Sequence, residues 1–144
     1  MKRMQRDFRS GFTLLEILLV VIIIGMLVSV AVVKLGGKVK DAQITAARDQ
    51  IHNYESALDL YQLDNGMLPS SEQGLQALIA QPSSTPIPGN WKGPYLQPPV
   101  LRKDPWNHDF IYRNPGQHNT TGYDILSPGP DGQEGNEDDI GNWQ

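Results

Sequence analysis

The sequence predicts an α+β chain: one long N-terminal helix, transmembrane in its first half and amphipathic in its second, packed on a small C-terminal antiparallel sheet. Three observations predict it. Phe12 to Val33 is apolar except for Glu16; Ile44, Ala47, Ile51, Tyr54, Leu58 and Tyr61 recur at alternating steps of three and four; and all 11 prolines fall at or after Pro69, ahead of or among short β-favouring runs.

The totals bound what the chain can be. It has 144 residues, 12 Lys plus Arg against 16 Asp plus Glu, and a formal net charge of -4. The charges are segregated: Lys2, Arg3, Arg6 and Arg9 lead the chain, whereas no basic residue follows Arg113 and the tail holds Asp131, Glu134, Glu137, Asp138 and Asp139. The charge disfavours a nucleic acid as a partner of that acidic half and favours a cation. There is no cysteine, so neither a disulfide framework nor a thiolate metal site exists.

Residues 1–10 form a short basic segment of the kind that remains cytoplasmic. The apolar run behind it, about 22 residues, would rise roughly 33 Å as a helix, enough to cross a bilayer. Its many Val and Ile residues favour strand in water, but in hydrocarbon each backbone group must be bonded within the segment, so helix prevails. Three readings compete for it: an uncleaved signal anchor, an ordinary secretory signal cut after Ala31 in Ser29-Val30-Ala31, or a segment cut after Gly11 that keeps the apolar helix. Glu16 discriminates among them. A carboxylate in an apolar span costs a few kcal/mol and marks function with a nearby partner. Cleavage before Phe12 would create an α-amino group one helical turn away, and a neighbouring subunit's amine would then neutralise Glu16 on assembly.

From Val39 to Leu63 the stripe named above gives the helix one face to bury, with Asp41, Arg48, Asp49, Glu55 and Asp59 largely elsewhere. Gly36-Gly37 is the expected site of any bend, and Asp64-Asn65-Gly66 supplies the stop. Ser70 and Gln73 read as a capping box opening a short helix that presents Leu75, Leu78 and Ile79 and ends at Pro82. Pro82 to Pro99 is a proline-rich loop with Trp91, Tyr95 and Leu96 to pin it down. Asp109–Arg113 and Gly122–Leu126 are then expected to form two antiparallel strands. His52, His108 and His118 lack metal-ligand spacing, Trp91, Trp106 and Trp143 read as packing residues, and no catalytic motif is present, so the chain is expected not to be an enzyme.

The tail from Ser127 to Ile140 is glycine-punctuated and acidic. Its carboxylates repel one another unless neutralised, and calcium, with six to eight oxygen ligands in flexible geometry, suits that need. The spacing does not fit an EF-hand. Composition alone leaves a solvated acidic loop and a cation site as alternatives.

Gly11-Phe12-Thr13-Leu14-Leu15-Glu16 followed by the apolar run resembles the class III signal of type IV pilins and pseudopilins. Leu68-Pro69-Ser70-Ser71-Glu72-Gln73-Gly74-Leu75, Trp91-Lys92-Gly93-Pro94-Tyr95-Leu96, Asp104-Pro105-Trp106 and Asp124-Ile125-Leu126-Ser127 resemble, more narrowly, the major pseudopilins of type II secretion systems. Asn107-His108-Asp109 departs from that family's usual glycine and proline. The resemblance implies a type IV pilin-like fold and three parts: a leader at 1–11 that is removed, a transmembrane and filament-core helix at 12–34, and a periplasmic domain at 35–144. It implies cleavage after Gly11 by a prepilin peptidase, N-methylation of Phe12, assembly through Glu16, and one structural calcium. The implied ligands are the side chains of Asp131, Asp138 and Asp139 with backbone oxygens near Pro128 and Gln133, leaving Glu134 and Glu137 to solvent. The implied setting is the bacterial inner membrane, crossed once, with minor pseudopilins and an assembly platform as partners of a homopolymer that drives export of folded proteins. The remaining alternatives are a pilus or DNA-uptake pilin, which shares the N-terminus but often carries a C-terminal disulfide, and a secreted calcium-binding module released after Ala31.

Overall fold

The computed structural model describes residues 11–144, with side chains described outside 30–36. The basic leader residues Lys2, Arg3, Arg6 and Arg9 lie outside the described residues, as do the side chains of Ala31 and Lys34. Helix α1 spans Leu14–Asn65, and its assignment is unbroken at Gly36-Gly37. Two compact units divide the chain between Lys40 and Asp41. Among the described residues no helix is long and apolar enough to cross a membrane; the described side chains of the apolar run stop at Ser29.

In the second unit, the apolar stripe of α1 faces a core, as its period predicts. Ala47, Ile51, Tyr54, Leu58 and Tyr61 are buried, with Ala57 completing the face and Ile44 packed at its margin. They form one cluster with Leu75, Ala77, Leu78, Leu96, Tyr112, Ile125 and Ile140. Each large apolar side chain so buried contributes about 1.5–3 kcal/mol before entropy is counted. The helix ends where Gly66 takes φ 71, a left-handed conformation that glycine adopts without penalty, and its N–H closes on the Gln62 carbonyl at 2.7 Å.

The capping box forms, yet it opens no α-helix. Gln73 N–H reaches Ser70 Oγ at 3.3 Å and Ser70 N–H reaches Gln73 Oε1 at 3.0 Å, after which the chain turns through Gly74 into a 3-10 helix at Leu75–Leu78. The Gln73 side chain explains part of this, because its amide also donates to the carbonyls of Ser84 and Pro86, at 2.8 and 2.9 Å, and so serves the following loop as well as the cap. That loop is packed, as expected from its aromatics: Leu96 is buried, Trp91 Nε1 donates to the Ala77 carbonyl at 2.9 Å, and Tyr95 N–H to the Leu78 carbonyl at 2.7 Å.

The sheet has three strands rather than the expected two, in the order β1-β2-β3, all antiparallel: β1 Ile111–Arg113, β2 Asp124–Ser127 and β3 Ile140–Gly141. Tyr112 faces Ile125, and Leu126 faces Gly141. The third strand was hidden because it is only two residues long and comes directly after the acidic run. The first two are shorter or shifted relative to expectation, since Asp109-Phe110 and Gly122-Tyr123 stay outside the ladder. Phe110 instead packs edge-on against Tyr54, with ring centroids 5.3 Å apart.

Asp124 organises the connection from β1 to β2. Its buried carboxylate accepts the N–H groups of Gln117, His118 and Asn119 at 2.6, 2.8 and 2.9 Å. Burial by itself would raise its pKa, but these donors and the His118 ring outweigh that and hold it below the ordinary carboxylate value. His118 in turn stacks on Trp143 with centroids 3.7 Å apart, so both serve packing.

Candidate functional site

Two regions hold the residues singled out in the sequence, one in each unit. In the first, Gly11, Phe12 and Thr13 precede α1. Thr13 caps the helix: its Oγ1 accepts the Glu16 N–H at 3.2 Å. Thr13 and Glu16 thus have the spacing of a capping box, and the carboxylate sits in the first turn, where the helix dipole favours negative charge. Among the described residues Glu16 enters no ion pair.

From Ile17 to Ser29 the described part of the helix is bare. Every described Leu, Ile, Val and Met side chain from Leu14 to Val28 is at least 47 % exposed, and Phe12 is 79 % exposed. Soluble monomers do not leave apolar surface of this extent in water. The segment requires lipid or other helices around it.

The second region is the connection from β2 to β3, Pro128 to Asp139. Its neck is tight because Gly129, at φ 66, lies against the backbone of Asp138, where a β-carbon would collide with the Asp138 carbonyl. His108 Nδ1 donates to the Gly129 carbonyl at 3.0 Å, so this histidine steadies the neck. Inside the loop, Asp131 accepts the Gln133 N–H on Oδ1 at 2.9 Å and the Asn136 amide on Oδ2 at 2.8 Å. The same Asn136 amide donates to the Gln133 carbonyl at 3.1 Å, and the Asn136 oxygen accepts the Asp138 N–H at 2.9 Å.

Asp139 differs from its neighbours. It is only 9 % exposed; its Oδ2 accepts the Gly135 N–H at 2.7 Å, and its Oδ1 is buried without a hydrogen-bond partner. A buried carboxylate oxygen left unpartnered is costly, and a hard cation is the partner that suits it. Asp131 and Asp138 are exposed, and no cluster of three or more His, Cys, Asp or Glu suited to a metal ion occurs among the described residues. The donors available, carboxylates and backbone carbonyls, are all oxygen, which fits calcium in kind.

Glu137 is exposed, as expected. Glu134 is exposed too but does more than face solvent, for it binds the Arg113 guanidinium through both oxygens, one contact Nη2–Oε2 at 2.7 Å and the other Nη1–Oε1. The guanidinium hydrogen bond holds the Glu134 carboxyl below its usual range and, reciprocally, raises Arg113. A pair separated by 21 positions left no signal in the sequence.

An apolar helix with a capped, exposed N-terminus, continuing into an amphipathic half that carries a small antiparallel sheet, defines a pilin-like filament subunit. Comparison with known proteins agrees. Residues 6–32 match the family model described as the prokaryotic N-terminal methylation motif, and residues 34–143 match that described as type II secretion system (T2SS), protein G. The chain is 48% identical to type II secretion system core protein G of Pectobacterium carotovorum subsp. carotovorum over 141 residues, covering 96% of this chain and 88% of that one. It is 43% identical to the protein of that name from Pseudomonas aeruginosa, covering 97% and 99%. A crystal structure of the major pseudopilin from the type 2 secretion system of enterohaemorrhagic Escherichia coli matches with a TM-score of 0.68 at 43% identity, covering 76% of this chain and 93% of that one. The chain belongs to the type II secretion system protein G family, and its function is that of a structural subunit of the pseudopilus.

Proposed function

We propose that this subunit is made as a precursor, cut after Gly11 by a prepilin peptidase, N-methylated at Phe12, and held in the bacterial inner membrane by a single pass of the apolar helix, its C-terminal domain periplasmic. Extraction from lipid into a homopolymer, with minor pseudopilins and an inner-membrane assembly platform as partners, then builds a filament that drives folded proteins across the outer membrane. Its role is structural, not catalytic. The observation that carries this reading is the exposure of every described large aliphatic side chain from Leu14 to Val28. Such a surface is satisfied equally by lipid before assembly and by neighbouring helices after it, so transfer between the two needs little net driving force. Glu16 adds direction, because only a neighbour's Phe12 amine would neutralise its charge within the apolar bundle.

The acidic loop supports a second part of the proposal, a structural calcium. Asp131, Asp138 and Asp139 would supply carboxylates, and the backbone oxygens of Pro128 and Gln133 the remainder. The unpartnered, buried Asp139 Oδ1 is the observation behind it. When bound, the ion supplies positive charge to a loop that otherwise repels itself. The chain's own contribution is to close the neck at Gly129 and fix Asp139 through Gly135.

The test of processing is mass spectrometry of the protein purified from membranes. A methylated Phe12 is expected at the N-terminus. A chain starting at Val32 would overturn the filament reading, because cleavage there removes the apolar helix.

A further inference from the structure

We propose that Arg113 positions the acidic loop for its cation, by clamping Glu134 and so fixing the crown of the loop on either side of it. This rests on the calcium reading above. The geometry is specific. In the β1-β2 ladder Arg113 stands opposite Asp124, while the loop departs from the other end of β2, after Ser127. Those ends are roughly 10 Å apart at 3.3 Å per residue. The Arg113–Glu134 fork therefore holds the crown folded back along the sheet.

Glu134 sits between the two backbone groups that matter most. On one side is Gln133, whose carbonyl is a candidate ligand and whose N–H binds Asp131 Oδ1. On the other is Gly135, whose N–H occupies Asp139 Oδ2 and leaves Oδ1 as the unpartnered oxygen. Holding Glu134 holds both. The guanidinium suits this task, since its planar fork engages two carboxylate oxygens through two parallel hydrogen bonds, a fixed geometry that a freely rotating ammonium does not impose.

Charge and position make opposite demands here, and this separates them. By Coulomb's law alone, removing a guanidinium from the vicinity of a cation site tightens binding. A positioning residue has the reverse effect. The experiment is calcium titration calorimetry on the detergent-solubilised full chain, comparing wild type, Arg113→Gln and Arg113→Lys. Both variants are expected to bind calcium roughly fivefold more weakly, the scale of one ordered ion pair. Unchanged or tighter binding by Arg113→Gln, with Arg113→Lys like wild type, would overturn the clamp while leaving the calcium site standing. A wild type that binds no calcium would sink the site and the clamp's purpose together. Hydrogen exchange in chelator gives an independent reading: Glu134→Gln should quicken exchange of the Gln133 and Gly135 amides, and unchanged protection there would equally refute the clamp.

Discussion

Ser127 donates its hydroxyl to Asp104 Oδ2 over 2.6 Å, and both side chains are buried. The other Asp104 oxygen accepts the N–H groups of Trp106 and His108 at 3.0 and 2.7 Å, while Ser127 Oγ accepts the Gly129 N–H at 3.2 Å. One buried pair thus joins the turn at Asp104–His108 to the neck of the acidic loop. His108 Nδ1 is 3.7 Å from Asp104 Oδ2, which superficially resembles a serine, histidine and aspartate trio. The chemistry differs, since the serine proton is committed to the carboxylate, the ring N–H to the Gly129 carbonyl, and Ser127 is sealed from solvent. Such a network holds the loop neck in place and has no access to a substrate.

The first prediction concerns this pair. Ser127→Ala leaves Asp104 Oδ2 and the Gly129 N–H short of a buried partner, so unfolding in urea, followed by tryptophan fluorescence, should show a loss of about 2 kcal/mol. A loss below about 0.5 kcal/mol, the level of ordinary surface changes, would mean the network carries no weight.

Acid sensitivity should come in part from Asp124. Its folded pKa is depressed, so the stability it contributes is present above its unfolded value and is lost as pH falls through the folded one. Asp124→Asn keeps one acceptor where three backbone donors converge. It should be about 2 kcal/mol less stable than wild type at pH 7, with the gap narrowing toward pH 3. A gap that stays constant with pH would remove Asp124 from the account of acid unfolding.

Much of this was legible in the sequence, for a physical reason: local periodicity reports burial. The steps of three and four from Ile44 to Tyr61 reappear as the buried face of α1, and the described apolar side chains from Leu14 to Val28 reappear as bare helix. Contacts between distant positions leave no such trace. Ser127 with Asp104, Arg113 with Glu134, and Tyr54, whose hydroxyl both donates to the Arg102 carbonyl and accepts its N–H at 2.9 Å, pair polar residues 21 or more positions apart. The third strand was masked by the acids before it. The Thr13 cap was legible in principle, since Thr13-Leu14-Leu15-Glu16 has capping-box spacing, but the apolar context drew attention to lipid instead.

Calcium should raise the melting temperature, and Asp139 should be essential to that response. An ion that stabilises by about 1–2 kcal/mol would shift a domain of this size upward by roughly 4–15 °C. Asp139→Ala should abolish the shift, whereas Glu137→Ala, an exposed position, should retain most of it. A wild-type melt identical in calcium and in chelator would eliminate the metal from the proposal.

Glu16 now has two candidate roles, and substitution separates them. At the N3 position of a capping box, three residues after Thr13, it fits an N-terminus where Thr13 Oγ1 already binds the Glu16 N–H, and glutamine serves that position nearly as well as glutamate. As the charge partner of a neighbour's Phe12 amine, it requires the carboxylate itself. Glu16→Gln is nearly isosteric and keeps the cap, so membrane insertion and helix content should be unchanged. If charge pairing governs assembly, filament yield should nevertheless fall with Glu16→Gln as far as with Glu16→Ala, by roughly tenfold or more, the consequence of a buried amine left without its partner at each joint. The readout is filament recovered by shearing or crosslinking, normalised to membrane-inserted subunit. Wild-type yield from Glu16→Gln together with loss from Glu16→Ala would assign the residue to capping, and the assembly register would then have to come from the apolar side chains between Leu14 and Val28.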